Sequence, residues 1–245
     1  GITEKPELAP LDRLEALYGF KAPRDKGLNT VAACEGLLDG SVRAFVALGG
    51  NLARAAPDSD RLRPAWRRLR LSVHIATKLN QSHLLPGAVS YLLPCLARIE
   101  MDRQASGEQC VSVEDSTGFI HASRGLAEPA APGLRSEAAI VAALAQACLP
   151  PNPRVPWQAW VDDYSQVRDA IARTWPDVFH DFNARMQTPG GFARPNGARE
   201  RQWHTDTGKA NFRGFGTLVA NPDARETDAQ VLRVTTLGSD DQFNT

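Results

Sequence analysis

The sequence lacks any Cys-x-x-Cys pair, and its four cysteines, Cys34, Cys95, Cys110 and Cys148, are too far apart for zinc or iron–sulfur spacing. They read as buried, reduced thiols, which fits a reducing, cytoplasmic compartment. Long hydrophobic runs are missing too. The stretch 138–149 falls well short of the roughly 20 apolar residues of a spanning helix, and the first residues lack the basic-then-apolar pattern of a signal peptide. Charge of one sign is absent: 28 basic residues balance 28 acidic ones, so no overall field gathers nucleic acid or anionic membrane, and an anion must be bound locally. Neither G-x-G-x-x-G nor G-x-x-x-x-G-K-[ST] occurs, which leaves the usual nicotinamide fingerprint and the P-loop unsupported. With no nucleophile elbow and no metal motif, a hydrolase has no support.

What remains, 245 residues with 42% hydrophobic side chains, suffices for one large globular domain. Leu11, Leu14 and Leu17 or Tyr18 recur at helical spacing and break at Gly19 and Pro23, which predicts a docking helix over about 8–20. Thr30 reads as the N-cap of a helix carrying Val31, Cys34, Leu37 and Leu38, which Asp39-Gly40 ends. The run 42–48 follows as a buried strand leading into Gly49-Gly50-Asn51. A helix over about 58–68, a strand over 70–75 and a short strand Tyr91-Leu92-Leu93-Pro94 complete the first half. This order predicts an α/β fold: an open, mostly parallel, dinucleotide-binding-like sheet with helices on both faces, plus long irregular loops.

Further on, 109–113 could form a β-ribbon and 114–133 reads as mostly irregular. Ser136 caps a helix with Ile140, Val141, Leu144, Ala147 and Cys148 on one face. Trp160, Tyr164, Val167, Ile171 and Trp175 form the core stripe of another. Residues 187–225 read as long loops and 231–237 as a last strand. The opening Gly1-Ile2-Thr3 and the stop at Asn244-Thr245 read as cut ends of a longer polypeptide.

Few residues suggest chemistry. Gly49-Gly50-Asn51, directly after a strand, permits close backbone approach and offers free amides that suit phosphate or ribose oxygens; a purely structural turn is the competing reading. Thr77, Lys78, Asn80 and Ser82 supply donors and acceptors in one segment, with Lys78 able to neutralise a phosphate, although a solvated loop accounts for them equally well. His74 and His83 stand nine positions apart without a metal partner. Glu100 with Asp102, and Glu114 with Asp115, read as surface charge rather than an acid–base pair.

The ordered set of motifs resembles the dimethyl-sulfoxide-reductase family of molybdopterin enzymes, in particular its formate-dehydrogenase-like alpha subunits. The likeness is carried by Gly27-Leu28-Asn29-Thr30-Val31, Ala47-Leu48-Gly49-Gly50-Asn51, Thr77-Lys78-Leu79-Asn80-Gln81-Ser82-His83 and Leu92-Leu93-Pro94-Cys95 through Glu100-Met101-Asp102. It continues through Val113-Glu114-Asp115-Ser116, His121-Ala122-Ser123-Arg124-Gly125, Asn196-Gly197-Ala198-Arg199-Glu200, Thr207-Gly208-Lys209-Ala210-Asn211-Phe212 and Asp241-Gln242-Phe243-Asn244-Thr245. One departure is Asp240, where relatives often carry His.

The resemblance implies a bis(molybdopterin guanine dinucleotide) cofactor with molybdenum, gripped between two α/β domains. Residues 1–225 would be the second of these and 226–245 the start of a C-terminal cofactor-binding domain. Gly49, Gly50, Asn51, Thr77, Lys78, Leu79 and Asn80 would hold one guanosine diphosphate arm. Pro94 and Glu100 would shape the adjacent wall, and Lys209, Gln242 and Asn244 would belong to later cofactor-facing segments. No catalytic or metal-ligating residue is implied within the chain. Iron–sulfur ligands and the catalytic loop are expected elsewhere in the polypeptide, whose remaining domains, with an electron-transfer partner, would be its partners. The other class left open is a stand-alone nucleotide-binding or interaction module similar to the central domain of thiamine-diphosphate enzymes.

Overall fold

Among the described residues the longest element is the 12-residue helix Glu137–Cys148, and no helix is long and apolar enough to cross a membrane. The computed structural model describes residues 5–56 and 58–212. Among the described residues, those up to Arg194 belong to one compact unit and those from Pro195 to a second. The expected strand 231–237, together with Gln242 and Asn244, lies outside the described residues.

In the first unit, α1 (Leu11–Tyr18) ends on Gly19 in the left-handed region at φ 67°. Helix α2 (Thr30–Asp39) starts one residue earlier than its sequence suggests: Asn29, not Thr30, is the N-cap, its side chain accepting from the Ala32 amide at 2.8 Å. Then come β1 (Ala44–Leu48), a single-turn α3 (Leu52–Ala55), α4 (Ser59–Trp66) and β2 (Leu71–Ala76). A 3-10 turn over Gln81–Leu84 leads to β3 (Val89–Pro94). The three strands form a parallel sheet in the order β1-β2-β3, with Leu48 opposite Ile75 and Ala76 opposite Pro94. The fold is thus mixed α/β around a small parallel sheet.

Only one face of this sheet is well covered. Phe45 leans on the core of Cys34, Leu37, Leu62, Trp66 and Leu69 supplied by α2, α4 and their flanks, with its ring 4.7 Å from that of Trp66. On the opposite face Ile75 and Leu93 meet Ile140, but Val46, Leu48 and Tyr91 are more than half exposed. The expectation of helices on both faces is corrected to this extent. Apolar alternation in the strands marks two faces for burial, whereas the described chain provides elements to seal one.

Short hairpin strands β4 (Arg103–Gln104) and β5 (Gly107–Glu108) precede an antiparallel sheet of β6 (Val111–Glu114), β7 (Phe119–Ser123) and β8 (Phe192–Ala193). A strand at 119–123 corrects the reading of 114–133 as mostly irregular. Its alternation places Ile120 against Phe182, Met186 and Phe192, and Asp115 closes the turn by accepting from the Thr117 amide at 2.8 Å. After α5 (Glu137–Cys148), capped by Ser136, the expected single helix divides into α6 (Trp157–Asp162) and α7 (Tyr164–Thr174). Asp163 causes the break, because its side chain accepts from the Ser165 amide at 2.9 Å and caps α7 instead of continuing α6. Helices α8 (Pro176–Phe179) and α9 (Phe182–Gln187) finish the unit. Cys34 and Cys95 are buried as expected, while Cys110 is half-buried and Cys148 exposed.

Candidate functional site

Parallel register brings the carboxyl ends of β1, β2 and β3 level. The Gly49 amide donates to the Ile75 carbonyl at 2.8 Å, and the Cys95 amide donates to the Ala76 carbonyl at 3.2 Å, so the tips at Gly49, Thr77 and Pro94 share one edge. Such an edge is where ligands bind in open parallel sheets.

Gly49 and Gly50 adopt φ of 67° and 74°, and a Cβ built on either would meet nothing within 4 Å. What glycine supplies here is the left-handed backbone, and the space above it is open. Among the described residues the amides of Gly50 and Asn51 meet no acceptor, and the Thr77 hydroxyl and Lys78 ammonium have no partner. Both side chains are exposed, as is Leu79 at 73%. Two amides, a hydroxyl and a cation around open space form a donor set suited to phosphate oxygens.

Asn51 and Asn80 have another job. The Asn80 Nδ2 donates to the Gly50 carbonyl at 2.9 Å, while its Oδ1 accepts from the Ser82 amide at 2.9 Å. Asn51 Oδ1 accepts from Ser82 Oγ at 2.9 Å, and Ser82 Oγ in turn accepts from the Ala53 amide at 3.2 Å. These contacts clasp the loop after β1 to the loop after β2. Both asparagine side chains therefore position the loops, and what Asn51 offers a ligand is its backbone amide.

The wall beside β3 is fixed in a similar way. Both carboxylate oxygens of Glu100 accept backbone amides, from Ala97 and Ala130, each at 2.5 Å, which holds this carboxyl below its ordinary range. Glu100 shapes that wall and has no oxygen left without a donor. Pro94 ends β3 with its ring exposed. Lys209 sits in the second unit within a polar turn, its carbonyl accepting from Thr205 Oγ1 at 2.8 Å.

Two features were missed by sequence reasoning. His74 and His83, nine positions apart, meet edge-to-face at 4.9 Å beneath the clasp. His83 Nδ1 accepts from the Asn80 amide at 2.9 Å, which requires that nitrogen to be unprotonated, and the Nε2 of His74 is buried with no partner among the described residues. Burial pushes both imidazoles down from their ordinary range, and in His74 the charge of His83 pushes the same way. The periodicity of β2 gives the side of the sheet on which His74 lies, but the 3-10 turn that returns His83 has none. The second feature is Arg135. Cys95 bridges it in parallel and the Leu96 amide donates to its carbonyl at 2.9 Å, so Arg135 occupies a fourth strand position at the same edge, just before the cap of α5. The signal available was its place immediately ahead of Ser136.

Among the described residues no group of three or more His, Cys, Asp or Glu could hold a metal ion.

No family model matches the chain. Its whole length is 45% identical to 32% of Protein YdeP of Escherichia coli O6:H1, and 44% identical to the same share of Protein YdeP of Escherichia coli K12. It is also 43% identical over 251 aligned residues to 31% of a protein of Mycobacterium bovis named as an uncharacterized oxidoreductase. The chain spans about a third of the length of the curated relatives it matches.

Proposed function

We propose that this chain is the non-catalytic, cofactor-holding α/β domain of a molybdopterin-dependent oxidoreductase resembling formate dehydrogenase, and that it holds one guanine dinucleotide arm of a bis(molybdopterin guanine dinucleotide) cofactor. One observation carries the reading: the level tips of three parallel strands present the Gly50 and Asn51 amides, the Thr77 hydroxyl and the Lys78 ammonium, with no partner for any of them among the described residues. The donor set fits a diphosphate, since amides and an ammonium without acceptors are what its oxygens need. Lys78 binds phosphate oxygens, the left-handed Gly49-Gly50 turn lets them approach the backbone, and the Asn51–Ser82–Asn80 clasp holds both loops at fixed spacing.

The metal would supply the redox chemistry when the cofactor is bound, and the domain binds and orients it. An oxidoreductase role is supported by the mycobacterial relative's name, and a place within a longer polypeptide by the share of the relatives that the chain covers. The remaining domains would be its partners, together with an electron acceptor. The deciding experiment is to purify the complete polypeptide with its cofactor and compare it with a Lys78→Ala variant. Molybdenum is counted by mass spectrometry, and guanosine monophosphate after hydrolysis of the diphosphate. Both should fall together; equal loading of the two proteins would reject the reading.

A further inference from the structure

Helix α5 carries too little polarity for a surface helix. It holds one charged side chain, Glu137, and one amide, Gln146; the rest are alanine, isoleucine, valine, leucine and cysteine. A helix that is apolar all round belongs inside a structure. Yet only its Ile140 and Ala142 are buried. Val141 and Leu144 are 40% and 37% exposed, and Cys148, which continues their stripe at i, i+3 and i+7, is exposed as well. The sheet face beneath α5 has the same excess. Parallel register sets Val46, Val73 and Tyr91 in one row and Leu48, Ile75 and Leu93 in the next, all on one face because positions two apart along a strand point the same way. Helix α5 seals the centre, where Ile140 meets Ile75 and Leu93. Val46, Leu48 and Tyr91 are left 59%, 54% and 56% exposed. The two apolar surfaces join, since Ile140 and Leu144 of α5 line a notch of about 400 Å³ together with Leu93 and Pro94 of β3.

We propose that this face is the docking surface for an amphipathic helix from another part of the same, longer polypeptide, laid beside α5 and over β1. The chain spans about a third of the length of its relatives, so some two thirds of such a polypeptide lies outside it and is at hand to supply the cover. The partner's chemistry follows from that of the patch. Its two rows and the α5 stripe contain no charged side chain, so a nucleotide or another anion finds nothing to bind, whereas the apolar stripe of a helix does. A surface of this kind, resembling a core cut in two, marks a permanent contact rather than a transient one. Space allows one helix. A helix about 10 Å across covers roughly two strands at about 4.8 Å spacing, so α5 over β2 and β3 leaves β1 for a neighbour. Parallel sheets are normally covered on both faces, and this arrangement supplies the missing layer. The inference rests on the part of the reading above that places the chain in a longer polypeptide, and is independent of what the cradle binds.

Thiol labelling of the complete polypeptide with a maleimide tests it, read peptide by peptide by mass spectrometry and scaled to the rate of each site in urea. Cys148 is a natural reporter on the α5 stripe, and Val46→Cys reports the sheet. Val31→Cys, 62% exposed on α2 at the other side of the sheet, is the reference. Cys148 and Val46→Cys should each react at least about tenfold more slowly than Val31→Cys, because a covered thiol reacts only when its cover opens. Leu144→Asp, which puts a charge into the seam at a position already part-exposed in the domain, should bring Val46→Cys back to within about twofold of the reference. Rates within about twofold of Val31→Cys at either reporter, without Leu144→Asp, would overturn the inference. So would protection that fades on dilution in step with dissociation of a dimer in sedimentation, which would assign the face to a second copy. Both results leave the loading comparison with Lys78→Ala standing, and equal loading in that comparison leaves the docking face standing.

Discussion

Replacing Asn80 by alanine tests whether the two loops of the cradle are held by their asparagines. The side chain makes two contacts of different kinds: its Oδ1 caps the 3-10 turn at the Ser82 amide, and its Nδ2 reaches the Gly50 carbonyl 30 residues earlier in sequence. Loss of an Asn cap costs about 1 kcal/mol. The bond to Gly50 is solvent-exposed, so water replaces much of it, and about 0.5 kcal/mol is a fair share. The sum, about 1.5 kcal/mol, corresponds to a drop in Tm of about 5 °C for a domain of this size. Asn80→Asp separates the two, because a carboxylate keeps the acceptor for Ser82 and loses the donor to Gly50; it should cost only the smaller part. Urea unfolding gives the energies, and hydrogen exchange at the Ala53 amide, which donates to Ser82 Oγ across the clasp, reads the local effect, which should be faster opening in both variants. Unchanged exchange at that amide in Asn80→Ala would show that the loops hold their shape without the clasp, and the positioning argument would be wrong.

Trp66 is 1% exposed at the centre of the α2–α4 core, and Trp66→Ala should cost about 3–5 kcal/mol by urea unfolding, whereas a loss under about 1 kcal/mol would show that this core is not the main one. Tyr164 joins Ser136, at 2.6 Å, and Asp102 at the start of α7, and burial raises its pKa well above the ordinary phenol. Tyr164→Phe should therefore cost about 1–3 kcal/mol through unsatisfied partners, and the phenolate absorbance that develops on titration of the native protein up to pH 10 should be the same with and without Tyr164. The His74 and His83 pair makes stability depend on pH. Both folded pKa values lie below the unfolded value, so the unfolded chain binds more protons as pH falls through the range below about 6.5. Stability is fully present above that value and declines as pH drops toward the folded pKa values; the decline should be shallower in His83→Gln, and melts between pH 8 and 5 that run parallel for the two proteins would remove the pair as its source.

How far the residues announced this arrangement depended on periodicity. Apolar runs located all three parallel strands to within two residues, because a strand's burial is written along consecutive positions and Gly49, Asn80 and Pro94 punctuate their ends. The Trp160 to Trp175 stripe kept one helical phase across two helices, so spacing alone hid a break made by the hydrogen bond from Ser165 to Asp163. Phe119–Ser123 looked irregular because a five-residue strand between polar turns offers one buried position, Ile120, and its partner Phe192 lies more than 70 residues away. The cradle followed a similar division. Glycines and Lys78 could be named from local sequence, but the commitment of Asn51 and Asn80 to each other through Ser82, the pairing of His74 with His83 and the arrival of Arg135 at the sheet edge all depend on contacts between distant segments.

Ser82 gives a way to separate positioning from charge in the cradle. It is 2% exposed, donates to Asn51 and accepts from the Ala53 amide, so Ser82→Ala leaves the buried Ala53 amide without its acceptor, at a cost of about 1–3 kcal/mol, while Asn51 Oδ1 keeps only the longer contact from the backbone amide of residue 82 at 3.3 Å. It carries no charge and does not face the open space above Gly50. If the loops must be held at fixed spacing before a diphosphate can use both, Ser82→Ala should weaken guanosine diphosphate binding while leaving its dependence on salt as in the unmodified chain, because every cation is still present. Lys78→Ala should instead flatten that dependence, since the exposed ammonium acts through a screened interaction whose range is about 10 Å at 0.1 M salt. Titrations at 0.05 and 0.5 M salt distinguish the two. A Ser82→Ala variant that binds as tightly as the unmodified chain would mean that the loops adjust to the ligand, and that the asparagine–serine clasp serves stability alone.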